Sequence, residues 1–189
     1  MAIIFFVTVT LVAEETEEVI AVASYIESSE LDASPVDIIS AEEFKNLRVS
    51  TVAELSKYLS IASGSHFQTN ALDGIDQGMA NITLRGLGHS STLVLVNKKR
   101  QTHSGTPSDE GEGYIDINII PEIALERIEI LKDGATSLYG SDAIAGVINF
   151  QTYQQFDGMR FLLGSQKTTN YDQRDNTLGV LFGGNFWEG

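Results

Sequence analysis

The segment from Leu125 to Phe150 constrains the fold of this chain more than any other. It contains Arg127–Leu131, where charged and aliphatic residues alternate as in a half-buried strand, and it ends with the strand-like run Gly146–Phe150. Three glycines, Gly134, Gly140 and Gly146, punctuate the stretch between the two runs, and each is expected to adopt a conformation that a Cβ atom would resist. The segment therefore predicts two strands joined through tight turns.

Composition bounds the function of the chain. Its 189 residues suit one ordinary domain with extensions, and 42% hydrophobic content fits a globular protein. With 12 basic and 26 acidic residues, the net charge of −14 repels nucleic-acid phosphates, so we expect no nucleic-acid partner. The chain has no cysteine, which excludes disulfides, thiolate zinc sites and cysteine nucleophiles.

The N-terminal residues 1–13 form an apolar run that acidic residues follow at once. The run is shorter than the about 20 residues that a membrane-spanning helix needs, and it resembles the apolar core of a signal peptide. No lysine or arginine precedes it, so a misplaced start codon or a buried strand stays an alternative. Residues 14–35 are acidic and serine-rich and predict a flexible leader.

Two capping boxes predict two short helices after the strand-like run Val36–Ile39. Ser40 with Glu43 opens the first helix, AEEFKNL, and Thr51 with Glu54 opens the second, VAELSKYL. The apolar residues of the second helix fall at helical spacing and are expected to share a buried face: Val52, Leu55, Tyr58 and Leu59.

Further strands are predicted at Asn81–Arg85 and at Thr92–Val96, the latter buried on both faces. A long polar loop, residues 101–113, follows the second of these, and Pro121 is expected to start a short helix. Residues 158–164 and 177–187 read as two antiparallel strands of a membrane barrel. In the second of these strands the more hydrophobic face is formed by Leu178, Val180, Phe182 and Phe186.

The glycine pair in Leu84–Gly88 admits two interpretations. A phosphate-binding loop of a nucleotide-using enzyme would need a third glycine opening a helix, or a Lys-Ser/Thr pair, and neither follows here. The other interpretation is a sharp turn at Gly86 and Gly88 that projects Arg85, whose guanidinium can make a forked contact with a carboxylate. No catalytic triad, acid and base pair or metal-ligand spacing stands out, so we expect no enzyme activity, no cofactor and no metal site.

Two blocks in this order, Asn81–Arg100 and Leu125–Phe150, resemble the two signatures of the plug domain of TonB-dependent outer-membrane receptors. The resemblance implies an α+β fold in which a small mixed-sheet plug with short helices, residues 36–152, precedes an incomplete antiparallel barrel hairpin, residues 153–189. A closed barrel needs at least about eight strands, so the chain looks truncated. The implied function is gating the energy-coupled uptake of a scarce ligand of the iron-siderophore, cobalamin or glycan class.

The resemblance also assigns roles to residues. Arg85 matches the plug arginine that pairs with glutamates of the inner barrel wall, and Lys132 stands where many plugs carry an arginine for a second such contact. The family's hairpin glycine is missing at Asn97–Lys98, so one of these residues is expected in the left-handed region unless another turn forms. The outward apex of the plug would supply the candidate ligand contacts His66, Gln68, His103 and Tyr114.

The leader carries a run that resembles a TonB box, the segment that pairs as an added strand with TonB, which works with ExbB and ExbD. Its residues are Glu18, Val19, Ile20, Ala21, Val22 and Ala23. The resemblance places the chain in the outer membrane of a Gram-negative cell with this leader facing the periplasm. An incidental run of valines in an acidic linker is the alternative for the leader, and a free-standing periplasmic ligand-binding module is the alternative for the whole chain.

Overall fold

The computed structural model describes residues 36–47, 49, 51–65, 78–108, 111–132, 136–167 and 174–184. The predicted signal segment and the leader with its TonB-box-like run lie outside the described residues, as do His66, Gln68 and Gly134. The described part contains a five-stranded mixed sheet, several short helices and a two-stranded hairpin. The predicted α+β class, with a small mixed sheet and a hairpin that does not close into a barrel, is confirmed.

The mixed sheet has the spatial order β1-β4-β5-β2-β3. Strands β2 and β5 are parallel, with Thr92 opposite Gly146, and the other neighbouring pairs are antiparallel. The central strands are buried on both faces, so β4 is more buried than its alternating sequence predicted. The strands are β1 (Val36–Ser40), β2 (Thr92–Val96), β3 (Lys99–Arg100), β4 (Leu125–Leu131) and β5 (Gly146–Thr152).

The main core packs on one face of this sheet. Alternate residues of β4 and β5 supply that face: Ile128, Ile130, Ile148 and Phe150. Phe44 and Leu55 from the helical segment, with Ile117 from a later turn, cover it. A smaller cluster on the opposite face comprises Leu93, Leu95, Leu131, Ala143 and Val147.

The first predicted helix is confirmed as α1 (Ala41–Asn46), which buries Phe44. Its capping box is complete, because the Glu43 amide donates to Ser40 Oγ at 3.2 Å and the Ser40 amide donates to Glu43 Oε2 at 3.0 Å. Each contact satisfies an amide that has no partner within the helix.

The second predicted helix is a 3₁₀ helix, Val52–Lys57, whose start is fixed by the Glu54 amide donating to Thr51 Oγ1 at 3.4 Å. Val52 and Leu55 are buried as expected, but the prediction for Tyr58 was wrong, since this residue is exposed. The helix ends at Lys57, and Tyr58 lies beyond its last turn.

The strand predicted at Asn81–Arg85 does not form. Two of its amides bind side chains instead of a neighbouring strand: the Thr83 amide donates to Ser65 Oγ and the Leu84 amide to Thr92 Oγ1, both at 2.9 Å. Such contacts offer the backbone an alternative to a sheet ladder.

The remaining helical pieces are short. Pro121 precedes the 3₁₀ turn Glu122–Ala124 as its N-cap, one position earlier than predicted. The others are the 3₁₀ turns His89–Ser91, Ile117–Ile119 and Ser141–Ala143, and helix α2 (Thr136–Tyr139).

The hairpin between β2 and β3 confirms the expected left-handed turn. Asn97 and Lys98 have φ values of 52° and 64°, so both residues adopt the conformation that a glycine would take more easily. The Lys98 amide donates to Asn149 Oδ1 at 2.9 Å, which ties the turn to β5.

The two barrel-type strands are β6 (Gly158–Lys167) and β7 (Arg174–Gly183), paired antiparallel with Gly158 opposite Gly183. The predicted apolar outer face of β7 is confirmed for its described members, since the side chains of Leu178, Val180 and Phe182 are all exposed. Phe186 lies outside the described residues. Among the helices that the structure describes, none has the length and apolar character to cross a membrane.

Candidate functional site

The glycine turns and the two predicted basic residues gather at one end of the mixed sheet. Strands β2 and β5 both start there because they are parallel, and the antiparallel β4 ends there. The loops that precede β2 and β5 therefore meet beside Leu131, the last residue of β4. This end of the sheet is the candidate site.

Gly146 fixes how closely the strands approach at this end. Its φ is 137°, and a Cβ atom at this position would lie 2.5 Å from the Leu131 carbonyl oxygen and 2.8 Å from Leu84 Cδ1. No side chain fits there without moving the backbone of β4. The glycine thus lets the start of β5 sit directly against the end of β4.

The other glycines of the candidate site also have positive φ. Gly86, Gly88 and Gly140 have φ values of 65°, 89° and 82°, respectively. Together with Gly146 they agree with the turn conformations expected from the sequence, because L side chains rarely adopt positive φ.

Arg85 and Lys132 lie side by side at the candidate site. The exposed Arg85, itself in the left-handed region with φ of 59°, donates from Nη2 to the Lys132 carbonyl oxygen. The Arg85 amide donates to the Ile61 carbonyl oxygen at 2.7 Å, which fixes the loop. The structure thus brings the two residues together, and their role in contacting a barrel wall stays a prediction.

Lys132 also has a partner that the sequence did not indicate. Its Nζ forms an ion pair with Asp37 Oδ2 of the edge strand β1. Both side chains are substantially exposed, and exposed ion pairs contribute only about 0–1 kcal/mol. The pair links the edge strand to the candidate site without fixing either residue permanently.

A buried charged cluster that sequence reasoning missed lies on the second face of the sheet. Glu129 is fully buried in β4, where it accepts from Arg127 Nε at 2.8 Å and from Asn149 Nδ2 at 2.9 Å. Arg127 Nη2 is buried without a hydrogen-bond partner. The available signal was a glutamate between two isoleucines, Ile128 and Ile130, in a strand that is covered on both faces.

Tyr139 of α2 is influenced by this cluster. Burial raises the pKa of its phenol, the nearby Glu129 carboxylate raises it further, and Arg100 lowers it. Arg100 also pairs with Asp142 at 2.6 Å and donates to the Tyr139 carbonyl oxygen, which holds α2 against β3. A phenol with a raised pKa stays protonated at neutral pH, so Tyr139 offers no base or nucleophile.

The predicted ligand contacts that the structure describes differ in exposure. His103 is exposed, and its ring lies against Gly113, where a Cβ atom would be 2.5 Å from Nδ1. Tyr114 is only 6% exposed, and its carbonyl oxygen accepts from the Ser104 amide at 2.8 Å. The surface needed for a ligand contact is therefore present at His103, whereas the Tyr114 side chain is part of the interior.

No group of three or more histidine, cysteine, aspartate and glutamate residues within the described ranges is arranged to hold a metal ion. The candidate site carries two basic groups beside its glycine turns; Lys132 is paired with Asp37, and the guanidinium of Arg85 has the fork geometry that suits a carboxylate.

A protein-family model described as the TonB-dependent Receptor Plug Domain matches residues 30–147, which include the whole candidate site. The chain belongs to this family. The two sequence signatures, the mixed-sheet fold and the family match agree, so the sequence-based identification of a plug domain is confirmed.

Curated relatives of this plug domain are receptors and transporters. It is 34% identical over 152 residues to the iron-regulated outer membrane virulence protein of Vibrio cholerae, a match that covers 77% of this chain and 22% of the relative. It is 30% identical over 142 residues to the vitamin B12 transporter BtuB of Vibrio vulnificus, covering 68% and 22%, respectively. The chain thus spans about a fifth of the length of these relatives.

Solved structures give the same result. The siderophore receptor PirA from Acinetobacter baumannii matches with a TM-score of 0.55 and 27% identity, covering 77% of this chain and 21% of that one. A mutant of the ferric enterobactin receptor PfeA from Pseudomonas aeruginosa matches with a TM-score of 0.52 and 28% identity, covering 69% and 19%. Nothing in these matches supports a free-standing periplasmic module.

Proposed function

We propose that this chain is the plug and first barrel hairpin of a TonB-dependent receptor that imports a scarce ligand across the outer membrane of a Gram-negative cell. The ligand belongs to the iron-siderophore, cobalamin or glycan class, and TonB, ExbB and ExbD supply the energy. The plug gates the passage by position and contacts, with no covalent chemistry.

The observation that carries this proposal is the one-sided hairpin that follows the plug. Its six large apolar side chains on the outer face are each 56–79% exposed, while the other face lies toward the plug. A contiguous apolar face of this kind marks a protein or membrane contact, and alternation along strands of 10 residues is typical of a barrel wall. The residues of this face are Met159, Phe161, Leu163, Leu178, Val180 and Phe182.

The roles of the remaining segments follow from this assignment. Residues 1–13 serve as the export signal, residues 14–35 as the periplasmic leader, 36–152 as the plug and 153–189 as the first barrel strands. Arg85 faces glutamates of the barrel wall, and Lys132 supports the same contact once it exchanges its Asp37 partner. His66, Gln68, His103 and Tyr114 remain proposed apex residues, with the Tyr114 side chain acting through packing.

Uptake tests the function directly. The receptor that includes this chain is produced in a Gram-negative host that lacks its own outer-membrane receptors, and growth is measured with ferric enterobactin as iron source or with limiting vitamin B12. We expect growth on one probe that depends on TonB. Growth that continues without TonB would contradict energy coupling, and accumulation of the protein in the soluble periplasm would favour the free-standing module.

The leader is tested separately by recovery on the immobilised C-terminal domain of TonB. Scrambling Val19–Ala23 is expected to abolish recovery, because strand addition needs a particular order of alternate side chains. Scrambling residues 28–33 of the same leader is the matched control and is expected to leave recovery unchanged. Equal recovery of both variants would remove the TonB-box assignment.

A further inference from the structure

We propose that the turn Glu122–Ala124, the seat, stays in contact with the first barrel hairpin at all times. The rearrangement that opens the plug then occurs in another part of the plug. The first part concerns contacts within this chain alone. The second part rests on the proposed receptor function.

The seat is a side chain that occupies a space left by a glycine. A Cβ atom at Gly179 of β7 would lie 3.2 Å from Ile123 Cδ1 and 3.5 Å from Ile123 Cβ, so the isoleucine packs directly on the glycine backbone. The same Cβ atom would lie 3.2 Å from Leu162 Cβ of the neighbouring strand β6. Any larger residue at position 179 has to displace Ile123 or spread the hairpin.

The linker between plug and hairpin is fastened at the same place. The Tyr153 amide donates to the Ala124 carbonyl oxygen at 3.0 Å, which extends the β4–β5 pairing into the seat. Arg160 of β6 donates to the Tyr153 hydroxyl at 3.0 Å, and its guanidinium lies 4.6 Å from the Tyr153 ring centroid and 5.4 Å from that of Phe156. Cation–π contacts of this kind tie the start of the wall to the end of the plug.

A second glycine holds the linker from the other side. Gly183, at the end of β7, lies so close to the Phe156 carbonyl that a Cβ atom could not be accommodated without moving the linker backbone. Phe156 thus lies between Arg160 and the end of β7. Together, Ile123, Gly179, Arg160 and Gly183 act as positioning residues for the plug on the wall.

Strand β1 is the proposed place of movement. Strand β1 lies at the edge of the sheet with β4 as its one partner strand, and Asp37, Ile38 and Ser40 are exposed. Its ion pair to Lys132 is on the surface. Edge elements with exposed side chains open at lower cost than buried central strands, so we place the movement at β1, while Ile123 stays in contact with Gly179.

A disulfide between Ile123→Cys and Gly179→Cys tests the contact in this chain folded in detergent. The Cβ separation of 3.5 Å is within the range of about 3.5–4.5 Å found in disulfides. The natural sequence has no cysteine, so the pair is the sole pair of thiols. The control pair is Ile123→Cys with Leu163→Cys, because Leu163 lies on the outer face of the hairpin.

We expect mild oxidation to cross-link the first pair at least about tenfold more than the control, given the geometric selectivity of disulfides. Equal yields would overturn the seat. If the first pair does not fold, Gly179→Ala is compared with Gly179→Ala/Ile123→Ala in urea unfolding. A loss of stability that the second change partly restores supports the seat, and no loss on Gly179→Ala contradicts it.

Permanence is tested in the receptor that includes this chain, after any cysteines outside the chain have been replaced, with the probe that supports growth of that parent. We expect uptake by the oxidised Ile123→Cys/Gly179→Cys receptor within twofold of uptake after reduction. A tenfold loss on oxidation that reduction reverses would overturn permanence while leaving the receptor function intact. If no probe supports growth of the parent, the proposed function is contradicted and the permanence claim falls with it, whereas the seat contact is still decided by cross-linking.

Discussion

Replacing Gly146 with alanine is expected to destabilise the plug more than any other single-methyl addition at its turns. The positive φ of 137° costs an L residue about 1–3 kcal/mol. The added Cβ atom also meets the Leu131 carbonyl oxygen at 2.5 Å and Leu84 Cδ1 at 2.8 Å, and overpacking of this kind adds about 1–3 kcal/mol. The sum, about 2–6 kcal/mol, is a large part of the 5–15 kcal/mol that typically stabilises a domain.

The matched control is Gly140→Ala, because Gly140 also has positive φ, at 82°, but no atom lies within 4 Å of an added Cβ. The Gly140→Ala variant should lose only the backbone cost of about 1–3 kcal/mol in free energy of unfolding. Urea unfolding of both variants, followed by circular dichroism with a common slope, measures the difference. If Gly146→Ala loses no more stability than Gly140→Ala, the close approach of β5 to β4 does not have the energetic importance assigned to it.

Three further predictions concern charge and turn chemistry. Glu129→Ala should cost about 3 kcal/mol, because it removes the fully buried partner of the Arg127 guanidinium and an acceptor of Asn149 Nδ2. The partly exposed Glu126→Ala should cost under about 0.5 kcal/mol in the same urea assay, and equal losses would contradict the assigned role of the Glu129 cluster. Burial, with Glu54 nearby, raises the pKa of Glu122 above 4.5, so its ionisation opposes folding and stability falls as pH rises through that window. Glu122→Gln should therefore raise the urea midpoint at pH 7, with the gain shrinking toward pH 4, and a gain independent of pH would contradict this. Lys98→Gly should stabilise by about 0.5–1 kcal/mol in urea unfolding, because it relieves the left-handed strain at the hairpin turn, and a loss would contradict the strain.

The parts of the fold that could be predicted from sequence are those that short-range chemistry decides. The Ser40 capping box, the left-handed Asn97–Lys98 turn and the positive φ of Gly140 and Gly146 each depend on a few consecutive residues. The alternating apolar face of β7 is local in the same sense. The two family signatures then indicated how these elements are arranged in the fold.

The parts that could not be predicted depend on residues distant in sequence. Asp37 meets Lys132 because β1 pairs with β4, and no spacing rule indicates that register. The Asn81–Arg85 segment has the composition of a strand, but its amides find the side chains of Ser65 and Thr92 in the folded chain. Burial of Tyr114 likewise results from packing of a loop whose sequence is polar.

The parallel pairing of β2 with β5 has a consequence for the order of folding. Thr92 meets Gly146 across more than fifty intervening residues, so the middle of the sheet stays open until the last plug strand is available. A nascent chain interrupted before Gly146 leaves β2 and β4 each without a shared neighbour, and neither can close the core alone. Ordering of the core is therefore delayed until the last strand of the mixed sheet is present.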